Sequence, residues 1–204
     1  SDAFRKFERA NIRTVFLERE VNNAEFNYLG YDNYRSMYAA TSRFLKEGHE
    51  HIFLITGPAE YSSEAQCVRG YYDAYTNVTG SYDQDRVRET NFNKESAFKT
   101  AVTLFEEMPK SAVLITSSTQ ILEGVLKARS FLDMTQQDAL HLVTLHETTW
   151  TNGTDAKIWK IPRHAIQLGE LAAETLLENS KNPVMFEYVH RVIANGDLEQ
   201  SPKP

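Results

Sequence analysis

The 204-residue chain predicts an α/β fold on parallel sheets, because short apolar runs alternate with amphipathic helical stretches along most of its length. A second sign is the stretch Gly48-His49, then Ile52-Phe-Leu-Ile55, then Thr56-Gly57. Glycine suits the left-handed turn that closes a helix, and the apolar run behind it is too short for another helix. A third is Ala112-Val-Leu-Ile-Thr116, continuously apolar to its threonine as strands covered on both faces are.

The first strand is expected at Thr14–Leu17. Tyr34, Met37, Tyr38, Thr41, Phe44 and Leu45 recur at helical spacing and lead into the Ile52–Thr56 strand. A polar loop, Pro58 to Glu64, precedes a helix carrying Val68, Tyr71, Tyr72 and Tyr75. A strand around Arg86–Thr90 follows, then a helix with Phe98, Ala101, Val102 and Phe105 on one side. After the Ala112–Thr116 strand, Gln120–Leu132 reads as a helix and Leu140–Leu145 as a strand. Ile158–Ile161 ends at Pro162, and a helix carries Ile166, Gly169, Ala172, Ala173, Leu176 and Leu177 on one face. Phe186–Ile193 is the last expected strand.

The net charge of −6 and the absence of a Lys/Arg cluster argue against phosphate-backbone binding by these residues. A single cysteine, Cys67, leaves no internal disulfide or cysteine-based zinc site, which suits a reducing, cytoplasmic compartment. No stretch reaches membrane-spanning length or has a signal-peptide pattern. The sequons at Asn77 and Asn152 are read as loop residues. Neither G-x-G-x-x-G nor G-x-x-x-x-G-K-[ST] occurs, so no nucleotide cofactor is expected, nor any other. His49 and His51 lack a third placed ligand for a metal. Glu18 with Glu147 as a glycosidase pair has no further support, so an enzyme is not expected.

Open parallel sheets bind ligands beyond the carboxyl ends of their strands. Here those positions hold Glu18 and Arg19, Tyr61 to Ser63, Asn91 to Asn93, Ser117 to Thr119, and His146 to Thr149.

The order Tyr31-Asp32-Asn33, Gly48-His49 with Ile52, Ile55-Thr56-Gly57, and Arg69-Gly70-Tyr71 with Ala74 resembles the effector-binding domain of LacI/GalR-family bacterial transcription regulators. Ala112 to Gly124, Leu142-Val143, and Lys160-Ile-Pro162 with Leu168-Gly169 keep the same register, so the resemblance runs roughly from residue 12 to 193. It implies two Rossmann-like lobes of the periplasmic-binding-protein-like type, a small sugar-like molecule in the cleft between them, and a homodimer. The lobes would be 1–31 with 162–188, and 32–161 with 189–204. The first would be incomplete, and operator DNA would be reached through a headpiece absent from this chain. The alternative is the solute-binding protein of a sugar transporter.

Carried over by position, the family's ligand contacts fall on Glu18, Asp32, Tyr61, Ser63 and Phe92. A carboxylate and a flat ring suit a polyol, whose hydroxyls need acceptors and whose C–H face needs apolar cover. Three positions depart from the family pattern. Cys67 stands for the cleft arginine, Thr119 beside Ser118 for an aspartate, and Thr144-Leu145-His146 with Glu147 for a Gly-Tyr-Asp. Losing the arginine and the aspartate removes the strongest charge-assisted bonds, so the implied effector is atypical. Bland roles stand beside these: Phe92 as packing, Asp32 as a helix cap, His146 as an exposed loop residue, Cys67 as a small core filler.

Overall fold

The computed structural model describes residues 2–10, 12–21, 26–145, 156, 158–178, 190–193 and 195–200. The chain divides into two compact units, residues 1–32 with 164–195 and residues 33–163 with 196–204.

The first unit contains helix α1 (Asp2–Arg9), strands β1 (Val15–Leu17) and β2 (Asn27–Tyr31), helix α7 (Ala165–Glu178) and strand β8 (His190–Ile193). Its three strands run parallel in the order β1-β2-β8. Leu29, Tyr31 and Leu168 form its buried core, with Val15, Leu171 and Ala172 packed around them. β8 pairs Tyr28 with His190 and Tyr31 with Ile193, so the tail strand completes this sheet. The sequence expectation instead gives the chain from residue 189 onward to the other lobe. The chain rejoins the second unit at Gly196, whose N–H donates to the Pro162 carbonyl at 3.0 Å.

The second unit holds helices α2 (Asn33–Lys46), α3 (Ser62–Thr79), α4 (Lys94–Glu107), α5 (Thr119–Arg129) and α6 (Met134–Ala139). Its strands are β3 (Ile52–Thr56), β4 (Val87–Glu89), β5 (Ala112–Thr116), β6 (Leu140–Thr144), β7 (Ile158–Lys160) and β9 (Glu199–Gln200). They form one sheet in the order β4-β3-β5-β6-β7-β9, parallel except for the β7–β9 pair.

Alternate residues of each strand serve opposite faces. Phe53, Ile55, Leu114 and Leu142 pack with Ala97, Leu104, Ile121 and Val125 of α4 and α5. Ile52, Leu54, Val113, Ile115 and Val143 pack with Met37, Phe44, Tyr71 and Tyr75 of α2 and α3. A strand covered on both sides cannot alternate apolar with polar, which is why these runs are apolar throughout.

α2 ends as its sequence predicts. Gly48 sits at φ 92, its N–H donates to the Leu45 carbonyl at 3.1 Å, and the His49 N–H reaches the Phe44 carbonyl at 3.0 Å. This is the Schellman arrangement, which satisfies carbonyls that the helix end would otherwise leave open. α3 departs from expectation. It starts at Ser62, so Ser62 to Glu64 form its first turn and the polar loop is only Pro58 to Tyr61.

Candidate functional site

In the second unit polar residues gather at the carboxyl ends of β3, β4 and β5, where each strand leads into the N-terminus of α3, α4 or α5. The organising group is the Glu64 carboxylate, in the first turn of α3 and only 3% exposed. Its Oε2 accepts from Thr56 Oγ1 at 2.7 Å, from the Gly57 N–H at 2.9 Å and from Ser117 Oγ at 2.5 Å. Oε1 accepts from Ser63 Oγ at 3.3 Å. A carboxylate buried this deeply is tolerated only when donors replace its lost water, and here they come from the ends of β3 and β5. An acid at this place also suits the positive end of the α3 dipole.

The adjoining loops are tied to the same strand ends. Thr90 donates its N–H and its Oγ1 to the Thr56 carbonyl at 2.8 and 3.0 Å. Its hydroxyl accepts from the Phe92 N–H at 3.4 Å. Phe92 has φ 60, a conformation that costs a bulky residue about 1–2 kcal/mol and persists only where the surroundings impose it. Its ring covers Gly57 so closely that a Cβ there would lie 1.9 Å from the ring's Cδ2. Tyr61 meets the ring edge-on, centroids 6.3 Å apart and planes at 90°. Phe92 and Tyr61 are both half-buried, leaving part of this aromatic pair accessible.

The helices behind this edge start on side-chain caps. Asn93 Oδ1 accepts from the Ser96 N–H at 2.8 Å, and Ser118 Oγ from the Ile121 N–H at 3.3 Å. Ser118 is thereby a buried cap of α5, and Thr119 is the helix's first residue, half-buried.

Cys67 occupies a different environment from the one expected of a ligand contact. It is 1% exposed and packed in the apolar cluster of Met37, Phe44, Leu54 and Tyr71. Burial pushes its thiol well above the ordinary range, and the Glu64 carboxylate adds to the shift. The small-core-filler role describes this side chain, and the position offers no room for a long arginine. Ser63 is half-buried and spends its hydroxyl on Glu64.

In the first unit, Glu18 follows β1 at φ 62, half-buried, and its N–H donates to the Leu29 carbonyl at 2.9 Å. Asp32 follows β2 directly and its carbonyl accepts from Asn195 Nδ2 at 3.4 Å. Each thus stands at the carboxyl end of its own strand. His146 and Glu147 lie outside the described residues.

Sequence reasoning misses Glu64, Asn33 and Arg163. Glu64 lies in a stretch read as loop. Its available signal is an acid seven residues after Gly57, at the start of a helix that follows a strand ending in threonine. Arg163 Nη2 donates to the Oδ1 of Asn33, which is 2% exposed, at 2.5 Å. That bond joins the first residue of α2 to the segment after β7.

Parallel sheets flanked by helices, with polar side chains collected at the strands' carboxyl ends, define an α/β protein of the periplasmic-binding-protein-like class. The chain belongs to the family described as periplasmic binding proteins and sugar binding domain of LacI family, whose profile matches residues 1–176. It is 23% identical over 146 residues to the ribose operon repressor of Haemophilus influenzae, an alignment taking in 72% of this chain and 44% of that protein. The chain therefore spans less than half the length of this curated relative.

Among solved structures, the Cra transcriptional dual regulator of Pseudomonas putida in complex with fructose 1-phosphate superposes with a TM-score of 0.81 at 18% identity, covering 99% of this chain and 73% of that one. A LacI family transcriptional regulator from Enterococcus faecium with bound ribose gives 0.81 at 16% identity, covering 100% and 76%. A regulatory protein of LacI family from Chloroflexus aggregans gives 0.83 at 11%, covering 98% and 72%. At these identities the likeness establishes the fold.

Proposed function

We propose that this chain is the effector-binding part of a LacI/GalR-type transcription regulator, sensing a sugar-like small molecule. The observation that carries it is the family match across residues 1–176, which places the chain among sugar-binding domains. The carboxyl edge of the second unit supplies matching chemistry. Phe92 and Tyr61 offer apolar faces for sugar C–H groups, and Thr119 offers a hydroxyl. Glu18 and Asp32 are the carboxylates proposed to accept from sugar hydroxyls. His146 and Glu147 are kept as candidate contacts on the family register alone. Ser63, Ser118 and Cys67 support the site from behind it, through Glu64, the start of α5 and the α3 core.

The reading is binding without catalysis, in the cytoplasm, with a homodimer as the working form. Operator DNA would be engaged by a headpiece in the full-length regulator. The relatives' descriptions favour a regulator over a transporter's solute-binding protein. Among the described residues no helix is long and apolar enough to cross a membrane.

A thermal-shift and calorimetric panel of pentoses, hexoses and their phosphates tests the proposal. Saturable stabilisation by a small set of related sugars is the expected result. Uniform silence across the panel overturns it.

A further inference from the structure

A second concavity, about 480 Å³, opens at the amino end of the second unit's sheet, opposite the polar edge described above. Its size lies within the range of roughly 300–1,000 Å³ typical of small-molecule sites. It is walled by the ends of α2 and α3 and by the 3-10 turn Gln84–Arg86 that precedes β4.

Arg86 is the fixed point of this wall. Its Nη1 donates to the Glu50 carbonyl at 2.6 Å and to Tyr75 Oη at 2.9 Å, and its Nε lies 3.7 Å from Asp83 Oδ2. Its guanidinium also lies against the Tyr75 and Phe53 rings, at 5.5 and 5.8 Å. Among the described residues no acceptor lies on Nη2. The guanidinium is therefore held in one orientation with a donor edge to offer, as in sites that recognise carboxylates.

Two carboxylates line the same concavity. Asp83 spends Oδ1 on the Asp85 N–H at 2.9 Å and shares Oδ2 with Arg86, while the Glu50 side chain makes no hydrogen bond or ion pair among the described residues. Tyr82, 45% exposed, lies against Tyr72 with centroids 4.3 Å apart and planes tilted by 33°, and its aromatic side chain lines the space. A purely anionic ligand would face two carboxylates, and a purely cationic one would face the guanidinium. A small molecule carrying both charges satisfies both, and an apolar side chain on it would cover Tyr82.

We propose that this concavity is a second binding site that takes a free α-amino acid with an apolar or aromatic side chain. The carboxylate sits on Arg86, the ammonium on Glu50 and Asp83, and the side chain on Tyr82. The proposal does not depend on which sugar, if any, the opposite edge binds.

Calorimetric or NMR titration of the protein with L-phenylalanine and L-leucine tests it, alongside hydrocinnamate, which lacks the ammonium, and phenethylamine, which lacks the carboxylate. Saturable binding of L-phenylalanine is expected, with each truncated compound about tenfold weaker or more, because each loses one charge-assisted contact. Glu50→Gln, at an exposed position, should weaken L-phenylalanine several-fold while leaving the urea midpoint and any sugar response unchanged, and Tyr82→Ala should weaken it several-fold with the sugar response unchanged. Silence from both amino acids, equal binding of a truncated compound, or undiminished binding by Glu50→Gln overturns the proposal.

Discussion

Ser117 Oγ donates to Glu64 Oε2 at 2.5 Å, a bond between residues 53 positions apart that ties the end of β5 to the first turn of α3. The same oxygen holds Thr56 and the Gly57 N–H, so one side chain fixes two neighbouring strand ends and the helix between them. Removing it leaves three buried donors without their acceptor. Glu64→Ala is expected to cost about 3 kcal/mol, and Glu64→Gln, which keeps one acceptor oxygen, about 1–2 kcal/mol. Urea unfolding followed by circular dichroism measures both. Equal, negligible losses would show that the network contributes nothing to stability.

Gly57 and Phe92 form a matched pair. Any Cβ at position 57 runs into the Phe92 ring, so Gly57→Ala should displace the ring and cost about 2 kcal/mol. Phe92→Ala makes room for that methyl. The double variant should therefore lose less than the sum of the two single variants, a coupling that a double-mutant cycle reads directly. Strict additivity would mean that the ring moves aside freely.

Cys67 carries a pH prediction. Its folded thiol is raised by burial above the unfolded value of about 8.5, so its contribution to stability is intact below that value. Above it the unfolded chain gives up the proton first, and stability falls as pH rises. Cys67→Ala should flatten that part of the curve. Iodoacetamide should label Cys67 slowly in native protein at mildly alkaline pH and quickly in urea. Cys67→Arg, which introduces the residue that the family resemblance implies here, is expected to destabilise by about 3–5 kcal/mol, because it places a charge in an apolar cluster.

Gly48 offers a local test of the α2 stop. At φ 92 an alanine is strained even though nothing crowds its Cβ, so Gly48→Ala should cost about 1 kcal/mol in urea unfolding. No loss would mean that the turn relaxes to another conformation.

Much of the architecture was legible from hydrophobic pattern alone, because strands buried on both faces cannot hide among polar residues. The Ile52–Thr56 and Ala112–Thr116 strands and the Gly48 stop are the clearest cases. β2 escapes the hydrophobic pattern, since Asn27-Tyr-Leu-Gly-Tyr31 mixes polar and glycine positions that are nevertheless all buried. α6 was also missed. Its six residues carry no apolar stripe, and it forms on a capping box in which Asp133 and Gln136 satisfy each other's backbone.

The candidate site was less legible. Positional carry-over carries no information on the direction of side chains. It therefore placed Cys67 at a ligand although the residue points into the core, and it passed over Glu64, whose partners come from strands distant in sequence. The left-handed backbone of Phe92 leaves no trace in residue type, because that conformation ordinarily favours glycine or asparagine.

The sugar-binding proposal is tested most directly by isothermal titration of the protein and of its Phe92→Ala variant, with ribose and fructose 1-phosphate as the first probes and a wider sugar panel behind them. Saturable heat from at least one sugar is expected, reduced about tenfold or more in affinity by Phe92→Ala under conditions where the variant is fully folded by circular dichroism. No heat from any sugar, or identical affinity in the variant, would contradict the account.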